Sequence, residues 1–299
     1  MSLSKLSLWI VIFLLLITNI FTLFFYKDEE KIEDQIVFKT EAGPLATING
    51  EEINRNDVSQ RLMDQYGEQT LIDLVNEKVV FSLAEKNNLV IEDKIMEREL
   101  SRLLVMQGLV AKQEMDQLKK DWKRQIEYRY YLQQLLTKDM EISDSEVKQY
   151  YDTYKRQYNF EQRIQLSHIV TPSLEKAEEV LAELNSGESF AAAAKEYSID
   201  ESSVDGGYLG FYSETSSFIP PEYFQQATQL ESGSFSNAFE TSQGIAIIFV
   251  HQILPSITFT YEEAFHEVKQ DLALEQLDQS INATTLWDEA EVKTILDSQ

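Results

Sequence analysis

The sequence has no cysteine and little histidine. The absence of cysteine excludes disulfide bonds, thiolate metal sites, cysteine nucleophiles and lipid attachment through cysteine. The three histidines are far apart in the chain of 299 residues, which is not the spacing of a metal-ligating motif. A phosphate-binding loop and the nucleophile turn of serine hydrolases are also missing. We therefore expect neither a metal site nor a cofactor.

Basic residues are in a clear minority. The chain has 26 Lys and Arg against 51 Asp and Glu, so its net charge is −25. Proteins that bind nucleic acid need a basic patch, and we therefore expect no nucleic-acid partner. The acidity is instead typical of a soluble, well-solvated surface.

One long apolar run stands at the start of the chain. No residue from Leu6 to Tyr26 is charged, and about 20 apolar residues in a helix span a bilayer. The run ends in "LFFY" rather than in the small residues of a signal-peptide cleavage site. We predict a single-pass transmembrane anchor at 6–26, a cytoplasmic tail at 1–5 and a charged linker at 27–42. The short tail favours an extracytoplasmic location at the cell membrane for the rest of the chain; a buried core helix is the alternative reading of the run.

Residues 43–160 have mostly helical periodicity. Two short extended pieces around an Asn49-Gly50 turn precede a helix that Asn54 caps and that we expect to end at Gly67. Further helices are predicted over 69–86, 93–107, 111–138 and 143–158. Ser143 and Glu146 have the spacing of a capping box at the start of the last one.

Helical spacing returns in residues 256–299, where Thr260 and Glu263 form a second capping box. Neither flank alone has a pattern that completes a hydrophobic core. We therefore expect the helices before and after the central stretch to meet in space.

The central stretch, 163–255, has an α+β pattern. In "RIQLSHIVT" the alternation of a strand places Ile164, Leu166 and His168 on one face, which is apolar apart from the imidazole. A lone histidine on such a face is more often a core residue than a functional one. Two helices, a glycine-rich loop and a short helix follow. The run "GIAIIFV" then predicts a strand in the centre of the sheet.

Five pieces of this stretch, in this order, carry a resemblance to a known family: "LSHIV", "AAAAKEYSIDESS", "GGYLGF", "FQQATQLESGSFS" and "TSQGIAIIFV". They resemble the parvulin family of peptidyl-prolyl cis–trans isomerases over essentially all of 163–255. The flanking helices are similar to the chaperone module of secreted PrsA-type foldases, although a lipobox cysteine is missing. The resemblance implies an α+β fold in which a small antiparallel sheet with surrounding helices interrupts a helical chaperone module.

The same resemblance implies the site residues. It assigns a polar catalytic cluster to His168, Asp200 and Thr241, and an apolar wall that holds the proline ring to Leu209, Phe224 and one of Phe218, Ile219 or Pro220. Simpler readings stay open, because Asp200 can cap a turn and both Leu209 and Phe224 can be ordinary core residues.

Two residues depart from the family pattern. Ala246 stands where the family commonly has a second histidine, and Tyr208 replaces the aspartate of "GGDLG". His251 belongs to the end of the last strand, and we do not expect it to substitute. We therefore predict an isomerase weakened by the missing histidine.

The chemistry of the reaction ranks these groups. Rotation about a peptide bond has a barrier of about 18–20 kcal/mol because of amide resonance. An apolar slot that grips the proline ring and desolvates the amide favours the twisted, less resonant form. The wall is therefore needed first, and loss of a histidine should weaken the enzyme rather than abolish it.

We predict a membrane-anchored, extracytoplasmic foldase that isomerises X–Pro bonds of unfolded or newly exported polypeptides. The cytoplasmic membrane would be a partner through residues 6–26, and nothing in the sequence points to a particular oligomeric state. Two alternatives remain: a holdase chaperone whose parvulin domain is inactive, and a membrane-tethered adaptor for one partner.

Overall fold

The structure is a computed structural model that describes residues 43–277 and 281–295. The predicted tail, anchor and linker, residues 1–42, lie outside them. Within these described residues, no helix is both long and apolar enough to cross a membrane. The chain divides into two units after Gly67, and each is described by itself.

The first unit contains a β-hairpin and the start of a long helix. Strands β1 (Ala46–Ile48) and β2 (Glu51–Ile53) pair antiparallel. Asn49 and Gly50 between them both have positive φ, which matches the twist of a two-residue hairpin turn. The predicted extended pieces and their turn are thus confirmed.

Helix α1 (Arg55–Lys86) corrects one prediction, because it continues through Gly67. An interior glycine costs a helix only about 1 kcal/mol relative to alanine, and the residues on both sides favour helix. Gly67 has no positive φ, so it does not adopt the left-handed conformation that commonly ends a helix.

The second unit has helices on both sides of a sheet-containing segment. They are α2 (Asp93–Val105), α3 (Lys112–Thr137) and α4 (Asp144–Tyr154) before it, and α8 (Tyr261–Glu275) after it. Short 3-10 helices cover Lys155–Tyr158 and Ala283–Leu286. Both predicted capping boxes are present, at the starts of α4 and α8.

The flanking helices share their cores, as expected. One core joins α2 and α4 to α8 and to the chain on either side of the sheet; it includes Leu104, Val147, Tyr158, Leu254, Phe259, Ala264 and Val268. Another joins the second half of α1 and α3 to the segment after α8, through Val80, Leu83, Leu135 and Leu286. Residues after the sheet thus complete cores that residues before it begin.

The sheet is small and antiparallel, as predicted. Its strands are β3 (Arg163–Thr171), β4 (Tyr208–Tyr212), β5 (Ser234–Phe235), β6 (Phe239–Thr241) and β7 (Gly244–Leu254). Strand β7 is central, because it pairs with β3 on one side and with β5 and β6 on the other. This position explains why it is apolar on both faces.

Helices cover both faces of the sheet and separate two cores. Helices α5 (Leu174–Ser186) and α6 (Phe190–Tyr197) pack on one face, around Ile169, Val180, Ala194 and Ile247. Helix α7 (Pro221–Ala227) packs on the other, around Ile164, Leu166, Ala246, Ile248 and Val250. The second face carries the candidate site.

Candidate active site

His168 lies in the middle of β3, between β4 and β7. Its backbone pairs with Ile248 of β7, and its N–H donates to the carbonyl of Gly207 at 2.8 Å. Gly207 has φ +76°, and a Cβ there would lie 2.0 Å from the His168 carbonyl oxygen. Only glycine therefore lets the loop approach the strand this closely, which accounts for the glycine pair before β4.

The imidazole is buried, with 3% of the residue exposed, and both ring nitrogens are bonded. Nε2 lies 2.9 Å from Asp200 Oδ1 and 2.9 Å from Ser202 Oγ, and Nδ1 lies 2.8 Å from the hydroxyl of Tyr223. An ionised carboxylate can only accept a hydrogen bond. The neutral ring therefore carries its proton on Nε2, and the Tyr223 hydroxyl donates to Nδ1.

Asp200 serves two purposes at once. It caps the 3-10 helix Glu201–Asp205, where its side chain accepts from the Ser202 N–H at 2.9 Å, and it accepts from His168. Partial burial would raise the pKa of Asp200, but the hydrogen bonds from Ser202 and His168 outweigh it and hold the pKa below its ordinary value. The structural and the functional reading of Asp200 are thus compatible.

Thr241 lies apart from this pair. It ends β6, and its hydroxyl donates to the Gly244 carbonyl at 2.9 Å across the turn to β7. Within the described residues, the ring of His168 bonds to Asp200, Ser202 and Tyr223, and Thr241 is not among its partners. Its catalytic role stays a prediction.

The predicted apolar wall is largely assembled on the same sheet face. Ile219 and Phe224 are buried in the core around β7, and Leu209 of β4 packs against it half-buried. Phe218 differs, because 88% of it is exposed. The structure therefore brings Leu209, Phe224 and the candidate Ile219 together and leaves the candidate Phe218 at the surface, where its contact with proline stays a prediction.

Sequence reasoning missed two partners of His168, namely Ser202 and Tyr223. Tyr223 is fully buried in α7, one residue before Phe224. Its only signal was the short spacing Tyr223, Phe224, Ala227, which marks one buried helix face. Ser202 lies in the "DESS" run, in which the family resemblance points only to Asp200.

The other two unusual residues of the sheet face away from this cluster. His251 bonds to Ser167 at 2.8 Å, and the hydroxyl of Tyr208 accepts from Gln165 at 2.9 Å. Ser167 and Gln165 alternate with Leu166 and His168 along β3, so they point to the opposite face. Neither His251 nor Tyr208 therefore supplies the bond that a histidine at position 246 could make.

This arrangement suits a reaction without covalent chemistry. An apolar wall beside a small polar cluster can hold a proline ring, exclude water and favour a twisted amide. In the part of the chain that the structure describes, no group of three or more His, Asp or Glu is arranged to hold a metal ion.

Comparisons with known proteins agree on one family. A model of the PPIC-type PPIase domain matches residues 142–267. The putative peptidyl-prolyl cis-trans isomerase YacD of Bacillus subtilis is 37% identical over 250 residues, which are 83% of this chain and 84% of that protein. The foldase protein PrsA of Caldanaerobacter subterraneus is 30% identical over 220 residues, 73% of this chain and 67% of that protein.

Among solved structures, the crystal structure of PrsA from Bacillus subtilis matches with 23% identity and a TM-score of 0.31, covering 84% of this chain and 94% of that one. The sequence similarity carries the assignment by itself. Because a relative named as an isomerase is matched over most of both chains, this chain belongs to the parvulin-type peptidyl-prolyl cis–trans isomerases.

Proposed function

We propose that this isomerase is a membrane-anchored foldase that acts on newly exported polypeptides outside the cytoplasm. One observation carries the proposal: the chain combines an isomerase site with a helical part whose cores contain residues from both before and after the sheet in the sequence. The similarity to proteins named foldase supports the same reading. The helical part would hold an unfolded chain while its X–Pro bonds isomerise.

The membrane part of the proposal rests on the amino-acid sequence. The run at 6–26 is uncharged and long enough to span a bilayer. A tether on one side of the membrane would keep the foldase where exported chains emerge, at high local concentration.

The test uses the full chain in lipid vesicles and a model protein whose refolding is limited by X–Pro isomerisation. We expect the chain to accelerate refolding and to reduce aggregation, and Phe224→Ala to remove most of the acceleration. A variant lacking residues 6–26 should keep the acceleration but should no longer float with vesicles in a density gradient. Flotation of this deletion variant would contradict the anchor.

The holdase alternative is motivated by Ala246 and Tyr208, the two departures from the family pattern. It predicts suppressed aggregation with no acceleration of refolding by the parent chain, and that result would overturn the foldase proposal. The adaptor alternative predicts one stoichiometric partner in a pull-down, whereas a foldase captures many clients weakly.

A further inference from the structure

The polar cluster of the active site runs inward from the surface in three steps. The Asp200 side chain is 28% exposed and His168 is 3% exposed, and Tyr223 is fully buried. Of these three residues, Asp200 is therefore the one that a bound peptide can reach. Tyr223 is out of a peptide's reach, and its hydroxyl acts on the site through the bond to His168.

Tyr223 can act as the hydrogen-bond donor at the buried end of this series of three residues. Burial, together with the negative charges of Asp200 and Glu222, raises the pKa of Tyr223 above its ordinary value. Its hydroxyl therefore keeps its proton and can donate to Nδ1 of His168. Since Asp200 accepts from Nε2, the imidazole is fixed at both nitrogens and cannot flip without losing two hydrogen bonds.

Ala246 and the Tyr223 ring belong to the same buried core. The ring contacts Phe239 edge-on, with 5.6 Å between centroids, and Phe239 pairs with Ala246 across β6 and β7. Ala246 is fully buried. It lies two residues before Ile248, which is the partner of His168 in β7. A large side chain at position 246 would therefore point from the same sheet face toward the space beside His168.

We propose that Tyr223 is a positioning residue of the isomerase: its hydroxyl fixes the orientation and the Nε2–H tautomer of His168, and its ring fills the space that Ala246 leaves. Tyr223 thus supplies from helix α7 the second hydrogen-bonding group beside His168. The imidazole in turn holds the carboxylate of Asp200 toward the bound peptide.

The first test compares Tyr223→Phe, His168→Ala and the double variant in the full chain in detergent, with turnover and peptide affinity measured separately. Loss of one hydrogen bond should lower turnover about three- to tenfold, with the affinity for a proline peptide unchanged. In the His168→Ala background, Tyr223→Phe should change turnover less than about twofold, because the bond it removes is already lost. Effects that multiply, or parent-like turnover of Tyr223→Phe, would overturn the proposal.

Tyr208→Phe is the matched control. It also removes a tyrosine hydroxyl with one hydrogen bond of 2.9 Å, but on the opposite sheet face. We expect some loss of thermal stability and parent-like turnover. In a sample labelled with ¹⁵N at its three histidines, Tyr223→Phe should move the Nδ1 resonance of His168, and Tyr208→Phe should leave it in place. An unmoved Nδ1 resonance in Tyr223→Phe would show that the hydroxyl does not bond to the ring.

The second test moves the hydrogen-bonding ring from position 223 to position 246. Ala246→His alone should lower the melting temperature, because Tyr223 occupies the space; Tyr223→Ala alone should lower it by leaving a cavity. The double variant should melt above either single variant and regain turnover relative to Tyr223→Ala. A double variant that melts no higher than the worse single variant would show that the two positions do not share this space.

Discussion

Arg98 in α2 and Glu267 in α8 form a buried ion pair that joins the two flanks of the isomerase domain. Nη1 of Arg98 donates to one carboxylate oxygen of Glu267 at 2.9 Å, and Nη2 donates to the other. Arg98 is fully buried. Burial opposes its charge, but the hydrogen bonds and the charge of Glu267 raise the pKa of Arg98 above its ordinary value. The guanidinium therefore stays charged within the core.

Glu267→Gln should be strongly destabilising. It removes the carboxylate that accepts from both terminal nitrogens of Arg98 and leaves only Glu99, which Arg102 and Arg129 share. Breaking a buried pair costs about 3–5 kcal/mol, and we expect a loss toward the lower end of this range because Glu99 remains. Urea unfolding measures the free energy.

Lys94→Gln is the matched control, because Lys94 and Glu263 pair across the same two helices but with both side chains partly exposed. Its cost should be much smaller, because solvent screens an exposed pair; equal costs for the two variants would contradict the role of burial.

A second prediction concerns pH and Asp271 in α8. Its carboxylate accepts from the Tyr158 hydroxyl at 2.9 Å. Burial raises the pKa of Asp271 to about 6, and the charge of Glu267 adds to this, while the Tyr158 bond and Arg98 oppose it. In the unfolded chain the group titrates near its ordinary value of 3.8.

The sign of the effect follows from proton uptake. Between about pH 4 and pH 6 the folded chain keeps a proton that the unfolded chain releases, so this group lowers stability as pH rises through that window. Asp271→Asn removes the effect and keeps an acceptor for Tyr158. We expect the free energy of unfolding of the variant to rise relative to that of the parent from pH 4 to pH 7, by at most about 3 kcal/mol. A constant difference across this range, measured by urea unfolding, would contradict the raised pKa.

Gly207→Ala should damage both stability and activity. The new Cβ would collide with the carbonyl oxygen of His168 and would also require φ +76° of an alanine. Gly210→Ala separates the two causes, because Gly210 has φ +98° but nothing within 4 Å of its added Cβ. We expect the substitution at Gly210 to lower the free energy of unfolding by about 1–2 kcal/mol and the substitution at Gly207 to lower it clearly more. Turnover should be lost only in the Gly207 variant. Thermal unfolding and a proline-peptide assay measure both quantities.

The apolar wall should matter more than the histidine. Phe224→Ala should lower the isomerase rate more than His168→Ala, because the ring grip and desolvation come first and the polar cluster adds to them. Phe249→Ala is the packing control, since Phe249 contacts Phe190 on the opposite sheet face. It should cost stability and leave the rate of the folded protein near the parent value. A larger effect of His168→Ala than of Phe224→Ala would reverse this ranking.

Local features of the fold could be predicted because they depend on neighbours in sequence. The capping boxes at Ser143 and Thr260 bond within one helical turn, and the Asn49-Gly50 turn needs only its own backbone conformation. The prediction that a helix ends at Gly67 was wrong because it considered that one residue alone. A single glycine weakens a helix, but the residues around it decide whether the helix ends.

The candidate site was predictable where one strand places its residues. Alternation in β3 put His168 on the same face as Ile164 and Leu166, and the structure agrees. The exposed position of Phe218 was not predictable, because a residue just before a helix can turn either way. Ile219, its neighbour, is the one that enters the core.

The sequence by itself determined the helices, the central strand, the family and the side of the sheet that carries His168. Periodicity, caps and motif order depend on residues that are close in sequence, so they can be recognised without the tertiary structure. Only the tertiary structure decided that Tyr223 bonds to His168 and that Arg98 pairs with Glu267. These partners are 55 and 169 residues apart, and such bonds form only after the elements that carry them have packed.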